Sequence, residues 1–393
     1  MARVQDPHKN NIQSDIMSAW QAIEFGVVDQ NNRDREKYWT HWKAYTRCFK
    51  VDPFLQNIDN SEKMVIIAAF AARVRSGCYG KGKVVRVSTV KKALAAIAKT
   101  IELAGEPSPI HKAEKAYKVP VARLIEGYTR QDPPSTPQLA LPVTVVNHMH
   151  KLAYRSWNSI KRATSDLATI AFYYLLRTGE YTKPKLILTD GKTKRKKRTI
   201  QFSVGNVGFF KDGKILPRTS PLHILTTADS CTLKITNQKN GRMGQTIHQF
   251  AIKSKICPVK ALARRTHHIL TNGGSTNNII CDTFDKETEK WTQITPQQMI
   301  EKIRQAVRSL KLNQQGIDPD LIGVHSLRAG GAMALKLNGA SDTTIMKMGR
   351  WTSMTFLQYI HNQIAHLSKS LSTKMSTKLT FTNIANIEAI QTQ

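Results

Sequence analysis

Acidic side chains are scarce in this chain: 28 Asp and Glu stand against 59 Lys and Arg in 393 residues, a formal charge of +31. Charged residues as a whole make up an ordinary 22%, so the imbalance comes from missing acids and not from an excess of ionic groups. Such a surface repels itself unless it meets a polyanion, and nucleic acid is the partner this charge points to. Cysteine is scarce as well. Cys48, Cys78, Cys231, Cys257 and Cys281 are scattered and form no CxxC pair, which argues against a disulfide framework or a zinc ribbon. Cys257 with His267 and His268 fits no standard zinc spacing, so neither a metal nor a cofactor is expected. No apolar run reaches the roughly 18 residues of a membrane span. The polar N-terminus lacks the apolar core of a signal peptide. The expectation is a soluble, intracellular protein with no membrane partner. Internal repeats are absent.

The length suggests two or three domains. Residues 1–29, polar with a short apolar patch, read as an N-terminal arm. Residues 30–130 read as all-helical. Within them, 33–55 form an amphipathic helix ended near Asp52–Pro53, with an aromatic stripe of Tyr38, Trp39, Trp42, Tyr45 and Phe49 that reads as a core face. Ser61 is the expected cap of a second helix, Ser88 or Thr89 of a third, and Gly105 its stop. Arg73, Arg75, Lys81, Lys83, Arg86, Lys91 and Lys92 cluster between and along the second and third helices without acids, a pattern suited to phosphate contact. Four prolines in 129–142 mark a linker, placed at 131–138.

A second domain is expected over 139–370, with 371–393 as a polar tail. It opens with a capped, apolar and therefore buried helix, "TSDLATIAFYYLLRTGEYT", ending at Arg177. Over 185–250 the pattern changes to β-branched runs separated by turn signals at Asp212–Gly213 and Asn240–Gly241, which predicts a small antiparallel sheet. The fold class expected is therefore mainly α with a small antiparallel β-sheet. Residues 192–198, "KTKRKKR", hold six basic residues in seven. Lys194, Arg195, Lys196, Lys197 and Arg198 there read as a phosphate-gripping loop, a nuclear localisation signal, or both. Thr295, Pro296 and Gln298 occupy capping-box positions, and "SDTTIMKMG" reads as a short capped helix.

The stretch "GVHSLRAGGAMALKLNG" at 323–339 sets His325 and Arg328 three apart, on one helical face. Gly330 and Gly331 cost roughly 1 kcal/mol each in a helix interior, a cost that close packing would offset. Along the chain the order is Arg177, Lys239, His325, Arg328, Arg350–Trp351 and Tyr359. A nucleophile, cationic donors for a phosphate and an acid for a leaving alkoxide are the parts of a metal-free phosphoryl transfer. The guanidinium fork suits two nonbridging oxygens.

This ordered set resembles the tyrosine recombinase (phage integrase) family. "LLRTGE" is similar to the family's first box, with Arg177 as its arginine and Glu180 as the supporting acid three residues on. "HSLR" is similar to its His-x-x-Arg box, "GRWTSMTFLQYI" to the final box with the nucleophile at Tyr359, and Lys239 in "NQKNGRMG" to the lysine of its β-hairpin. The resemblance covers roughly residues 30–365 and extends to type IB topoisomerases. It implies a helical SAM-like core-binding domain, then an α+β catalytic domain. It also implies cleavage and rejoining of double-stranded DNA through a 3′-phosphotyrosyl link without ATP or metal, and a tetramer on DNA. A eukaryotic mobile element and a nuclear location are favoured over a bacterial, nucleoid setting. A non-catalytic DNA-binding relative and a relaxing topoisomerase are the alternatives. The family's second His/Trp position falls on Arg350 when counted back from Tyr359 and on Trp351 when counted from Arg328, so that role stays divided. Lys211 and Lys214 in "KDGK" rival Lys239, and Tyr173 and Tyr181 are lesser candidates for the nucleophile.

Overall fold

The computed structural model describes residues 12–19, 22, 29–110, 115–134, 139–183, 201–236, 244–354 and 357. Most of the expected arm, the basic run 192–198, Lys239, Tyr359 and the tail 371–393 lie outside the described residues. The chain divides into two compact units: Met1–Ser135 with Thr193–Arg198, and Thr136–Lys192 with Thr199–Gln393. No helix among the described residues is long and apolar enough to cross a membrane.

The first unit is helical: α1 (Asp29–Cys48), α2 (Asn60–Arg75), α3 (Val87–Leu103) and α4 (Lys115–Gln131). Its core gathers Trp42, Phe70, Ile67, Val90, Ile97 and Ile101, all buried. The Trp42 and Phe70 rings meet edge to face at 5.0 Å, and the Trp42 indole N–H donates to the Pro53 carbonyl at 2.8 Å, as a buried indole should. Of the aromatic stripe, Tyr38, Trp42 and Tyr45 are core, Trp39 packs against it, and Phe49 is exposed. Helix α1 ends at Cys48, short of Asp52–Pro53, because Lys50 takes a left-handed φ of +56°. The Asp52 carboxylate instead closes a turn by accepting from the Phe54 and Gln56 amides.

Two expected caps give way to better ones. Asp59, not Ser61, caps α2, accepting from the Ser61 and Glu62 amides; the Ser61 hydroxyl donates to the same oxygen. Neither Ser88 nor Thr89 caps α3, which starts at Val87. The Val87 amide is instead capped at 2.8 Å by the carboxylate of Asp132, which lies beyond the end of α4. Gly105 follows the α3 cap with φ +91°, the left-handed stop expected of it.

The second unit holds α5 (Val143–Tyr154), α6 (Ser159–Tyr173), the single turn α7 (Thr178–Tyr181), and strands β1 (Val207–Lys211) and β2 (Lys214–Leu216). Then come the short α8 (Leu222–Leu225), β3 (Ser230–Lys234), β4 (Thr246–Phe250) and α9 (Pro258–Thr271). The hairpin β5 (Asp282–Asp285) and β6 (Lys290–Gln293) precedes α10 (Pro296–Ser309), α11 (Ser326–Leu337) and α12 (Asp342–Gly349). The fold class is mainly α with a small antiparallel sheet of order β2-β1-β3-β4. Its central strand β3 is buried at Ser230, Cys231, Thr232 and Leu233, on both faces, whereas edge strand β4 buries only Ile247. Asp212 and Gly213 both take positive φ, +49° and +72°, the paired left-handed conformation of a tight hairpin turn. They set Lys211 opposite Lys214. The Tyr174 hydroxyl donates to the Cys231 carbonyl at 3.1 Å, tying the end of α6 to the sheet.

Helix α6 begins earlier than "TSDLATIAF" suggests, because Asn158 caps it by accepting from the Lys161 amide. Asp166, buried in its middle, takes a two-pronged contact from Arg264 of α9, the closest at 2.6 Å, and a hydrogen bond from the Tyr154 hydroxyl. The helix ends at Tyr173, four residues before Arg177. Thr295 and Gln298 form the expected capping box with Pro296 in the first turn of α10, and Ser341 caps α12. The β5–β6 hairpin has no counterpart in the sequence reading. Buried Arg265 of α9 supports it by donating to the carbonyls of Ile280 and Asp282.

Candidate functional site

The site is built from chain ends, where backbone leaves a helix. After α6 the chain turns at Leu175, with φ +48°, and runs extended into Arg177, which caps the single turn α7. That turn places Glu180 three residues on, so its carboxylate reaches back to accept the Arg177 amide at 2.8 Å and the Arg177 guanidinium at 3.3 Å. The same carboxylate takes Arg350 on both oxygens, each at 2.9 Å. Arg350 is the left-handed C-cap of α12, φ +58°, and its side chain is almost fully enclosed. Burial pushes the Glu180 carboxyl up, but Arg350 and then Arg177 outweigh it and hold the carboxyl below the ordinary value. The carboxylate is therefore charged at neutral pH.

Arg328 comes to this place from α11. His325 caps that helix and is exposed, one turn before Arg328. The Gly323 amide donates to the Ser326 hydroxyl at 3.1 Å and fixes the turn. Arg328 is buried and donates to the carbonyls of Leu175 and Gly349. Its guanidinium lies over the Trp351 ring, 4.2 Å from the centroid, a cation–π distance. The Leu175 carbonyl also accepts Arg350 at 3.2 Å. One carbonyl and one carboxylate thus knot together Arg177, Arg328 and Arg350, which are 151 and 22 positions apart in succession.

The adjacent glycines make this approach possible. A Cβ on Gly330 would stand 2.1 Å from the Leu141 carbonyl oxygen, and one on Gly331 would stand 2.3 Å from that of Phe172. Helix α11 therefore seats backbone to backbone against the segment entering α5 and the end of α6. Gly349 serves likewise, since a Cβ there would fall within 1.7 Å of the Trp351 ring.

Other candidates lie elsewhere or outside the described residues. Lys211 and Lys214 sit at the base of the β1–β2 turn. Lys239 and Tyr359 fall outside the described residues, although the antiparallel partners β3 and β4 flank the segment holding Lys239. Tyr181 is excluded as a nucleophile: it is fully buried, and burial followed by the Glu180 charge raises its hydroxyl well above the usual tyrosine range. Burial, then Cys257, also raises the half-buried Tyr173. In the first unit Arg73, Lys81, Lys83, Arg86, Lys91 and Lys92 are exposed. Arg75 departs from that group, because it is held by the Asp132 carboxylate and by the Val85 carbonyl at 2.5 Å. No cluster of three metal-binding side chains occurs among the described residues. His268 is engaged by Thr283 and the Phe284 amide, and burial followed by Arg265 lowers its pKa to about 4. The Leu175 carbonyl has no sequence signal, since any residue supplies one and only its orientation matters.

No family model matches the chain, and no curated protein matches it in sequence. Among solved structures, the chain is similar to the Tn1549 transposon integrase in complex with transposon right end DNA, at 10% identity over 91% of this chain and 98% of that one, TM-score 0.49. It is also similar to the XerH site-specific recombinase bound to difH substrate, at 13% identity over 82% and 71%, TM-score 0.43. A third likeness is to the XerA recombinase, at 12% identity over 88% and 100%, TM-score 0.36. Likenesses this distant leave the chemistry to be read from this chain's own residues.

Proposed function

We propose that the chain is a site-specific DNA recombinase or integrase of the tyrosine recombinase type. The observation that carries this reading is the knot at Glu180 and the Leu175 carbonyl, which gathers the arginines of three separate sequence boxes. Arg177 and Arg328 would stabilise the charge that builds on a scissile phosphate, as donors do in electrostatic catalysis. Tyr359 would attack the phosphate and form a 3′-phosphotyrosyl link while the 5′ oxygen leaves. Lys239 would protonate that oxygen, and His325 would assist proton transfer at the tyrosine or steady the phosphate. A strand of a partner duplex would then attack the link in reverse. The link conserves the phosphodiester energy, so the reaction calls for no ATP, and the paired guanidiniums take the part a metal plays elsewhere. Two duplexes call for several protomers, four in the simplest arrangement. The exposed lysines and arginines of the first unit would grip the backbone.

The test is covalent trapping on a pool of randomised duplexes, each nicked near its centre. The wild type should leave DNA adducts that survive denaturation, and Tyr359→Phe should leave none while still retarding duplex DNA. One observation favours a second reading, DNA binding without cleavage: Arg328 is only 2% exposed. A wild type that retards the pool yet never forms an adduct would establish that reading.

A further inference from the structure

We propose that Arg350 is a positioning residue, clamped by Glu180 so that Trp351 is held over Arg328, and that the divided His/Trp role belongs to Trp351. The inference rests on the recombinase reading for its chemistry, while its geometry stands apart from it. Three features carry it. The first is the Glu180 clamp, in which the two terminal nitrogens of Arg350 bond both carboxylate oxygens at 2.9 Å and the Leu175 carbonyl at 3.2 Å. Its Nε is enclosed as well. To meet a phosphate, Arg350 would have to strip a buried carboxylate of its main partner, and an uncompensated buried charge is strongly unfavourable. The second is the backbone. Arg350 sits at φ +58°, and the Trp351 amide donates to the Met346 carbonyl at 3.0 Å. That closure fixes where residue 351 leaves the helix, so a clamp on Arg350 is a clamp on Trp351. The third is the ring itself, seated 4.2 Å from the Arg328 guanidinium and against Gly349, where no Cβ is tolerated.

Position 350 thus joins two distant boxes. Glu180 holds Arg177 on one side and Arg350 on the other. Charge at Glu180 sets the spacing of the first arginine and the indole together. A phosphate donor and a positioning residue respond differently to the substrate. Replacing one nonbridging oxygen by methyl gives a neutral methylphosphonate, which no longer needs a guanidinium to offset its charge.

Two experiments on the full chain test the proposal. In the first, 5-fluorotryptophan is incorporated, and the Trp351 resonance is assigned with Trp351→Phe. Glu180→Gln, remote in sequence, should displace that resonance in the same direction as Arg350→Ala. An unmoved resonance in Glu180→Gln overturns the clamp, whether or not the chain cuts DNA. In the second, adduct formation is timed on duplexes with a phosphate or a methylphosphonate at the cleavage site, with DNA affinity and thermal melting recorded to exclude misfolding. Arg177→Ala should slow cleavage about 100-fold on phosphate and recover most of it on methylphosphonate. Arg350→Ala should be slow on both. Recovery of Arg350→Ala on methylphosphonate to the level of Arg177→Ala makes Arg350 a phosphate donor and overturns the proposal. If the wild type forms no adduct, the recombinase reading fails, and the fluorine shift still decides the clamp.

Discussion

Gly330→Ala is the substitution on which the geometry of the site bears most directly. In an open helix the change stabilises, since alanine gains up to about 1 kcal/mol over glycine. At position 330 the added Cβ would lie 2.1 Å from the Leu141 carbonyl oxygen and 3.0 Å from its carbon. Both are backbone atoms, and Leu141 is further pinned because its amide donates to the Ser326 carbonyl at 3.2 Å. The clash cannot be relieved by rotating a side chain, so helix α11 must move. Overpacking of this kind costs roughly 1–3 kcal/mol, and here the upper part of that range applies. Subtracting the propensity gain leaves a net loss of about 1–2 kcal/mol. At roughly 2–4 °C per kcal/mol for a unit of this size, the melting temperature of the second unit should fall by about 2–8 °C. Gly127→Ala is the internal control, because Gly127 lies within α4 with nothing inside 4 Å of its would-be Cβ. It should stabilise the first unit by about 0.4–1 kcal/mol. The two units need not unfold together, so the readout is hydrogen exchange resolved by peptide, over 326–337 for one and 115–131 for the other. Opposite signs are expected. A Gly330→Ala protein that protects 326–337 as well as the wild type would refute the close backbone contact and with it the seat of Arg328.

His268, half-buried and bonded at Thr283 and Phe284, has a pKa lowered by desolvation to about 4 in the folded chain against an ordinary value of 6.5. The unfolded chain binds the extra proton between those values, so this contribution to stability is complete above about pH 6.5 and is lost as the pH falls towards 4. Urea midpoints should drop across that window, and His268→Gln should flatten the drop; an equal drop in the variant would acquit His268. DNA affinity should fall steeply with salt, with a log–log slope of about −9 for some ten phosphate contacts. Neutralising 192–198 should reduce the slope, and a slope near zero would exclude a backbone clamp. Lys239→Ala should be rescued by a substrate whose 5′ bridging oxygen is sulfur, since a thiolate leaves without an acid. Rescue of Lys211→Ala or Lys214→Ala in its place would move the acid to the β1–β2 turn.

The sequence by itself determined what depends on near neighbours and on composition. The deficit of acids set the charge. The Thr295–Gln298 box, the Ser341 cap, the Gly105 stop and the Asp212–Gly213 turn were legible because each is satisfied within a few residues of itself. The cost of Gly330 and Gly331 likewise announced a close contact, though not its partner. Tertiary structure alone decided the rest, because those interactions join groups whose distance along the chain carries no information about distance in space. Asp132 displaced the local serine and threonine as the cap of α3 because a carboxylate from the end of α4 reaches the Val87 amide. The β5–β6 hairpin depends on a buried arginine offered by α9. Spacing along the chain left Arg350 and Trp351 level for one role, and only the fold brings Glu180, 170 positions earlier, onto Arg350. A guanidinium's role is fixed by which anion it meets when water is excluded, and that is settled only when the chain has folded around it.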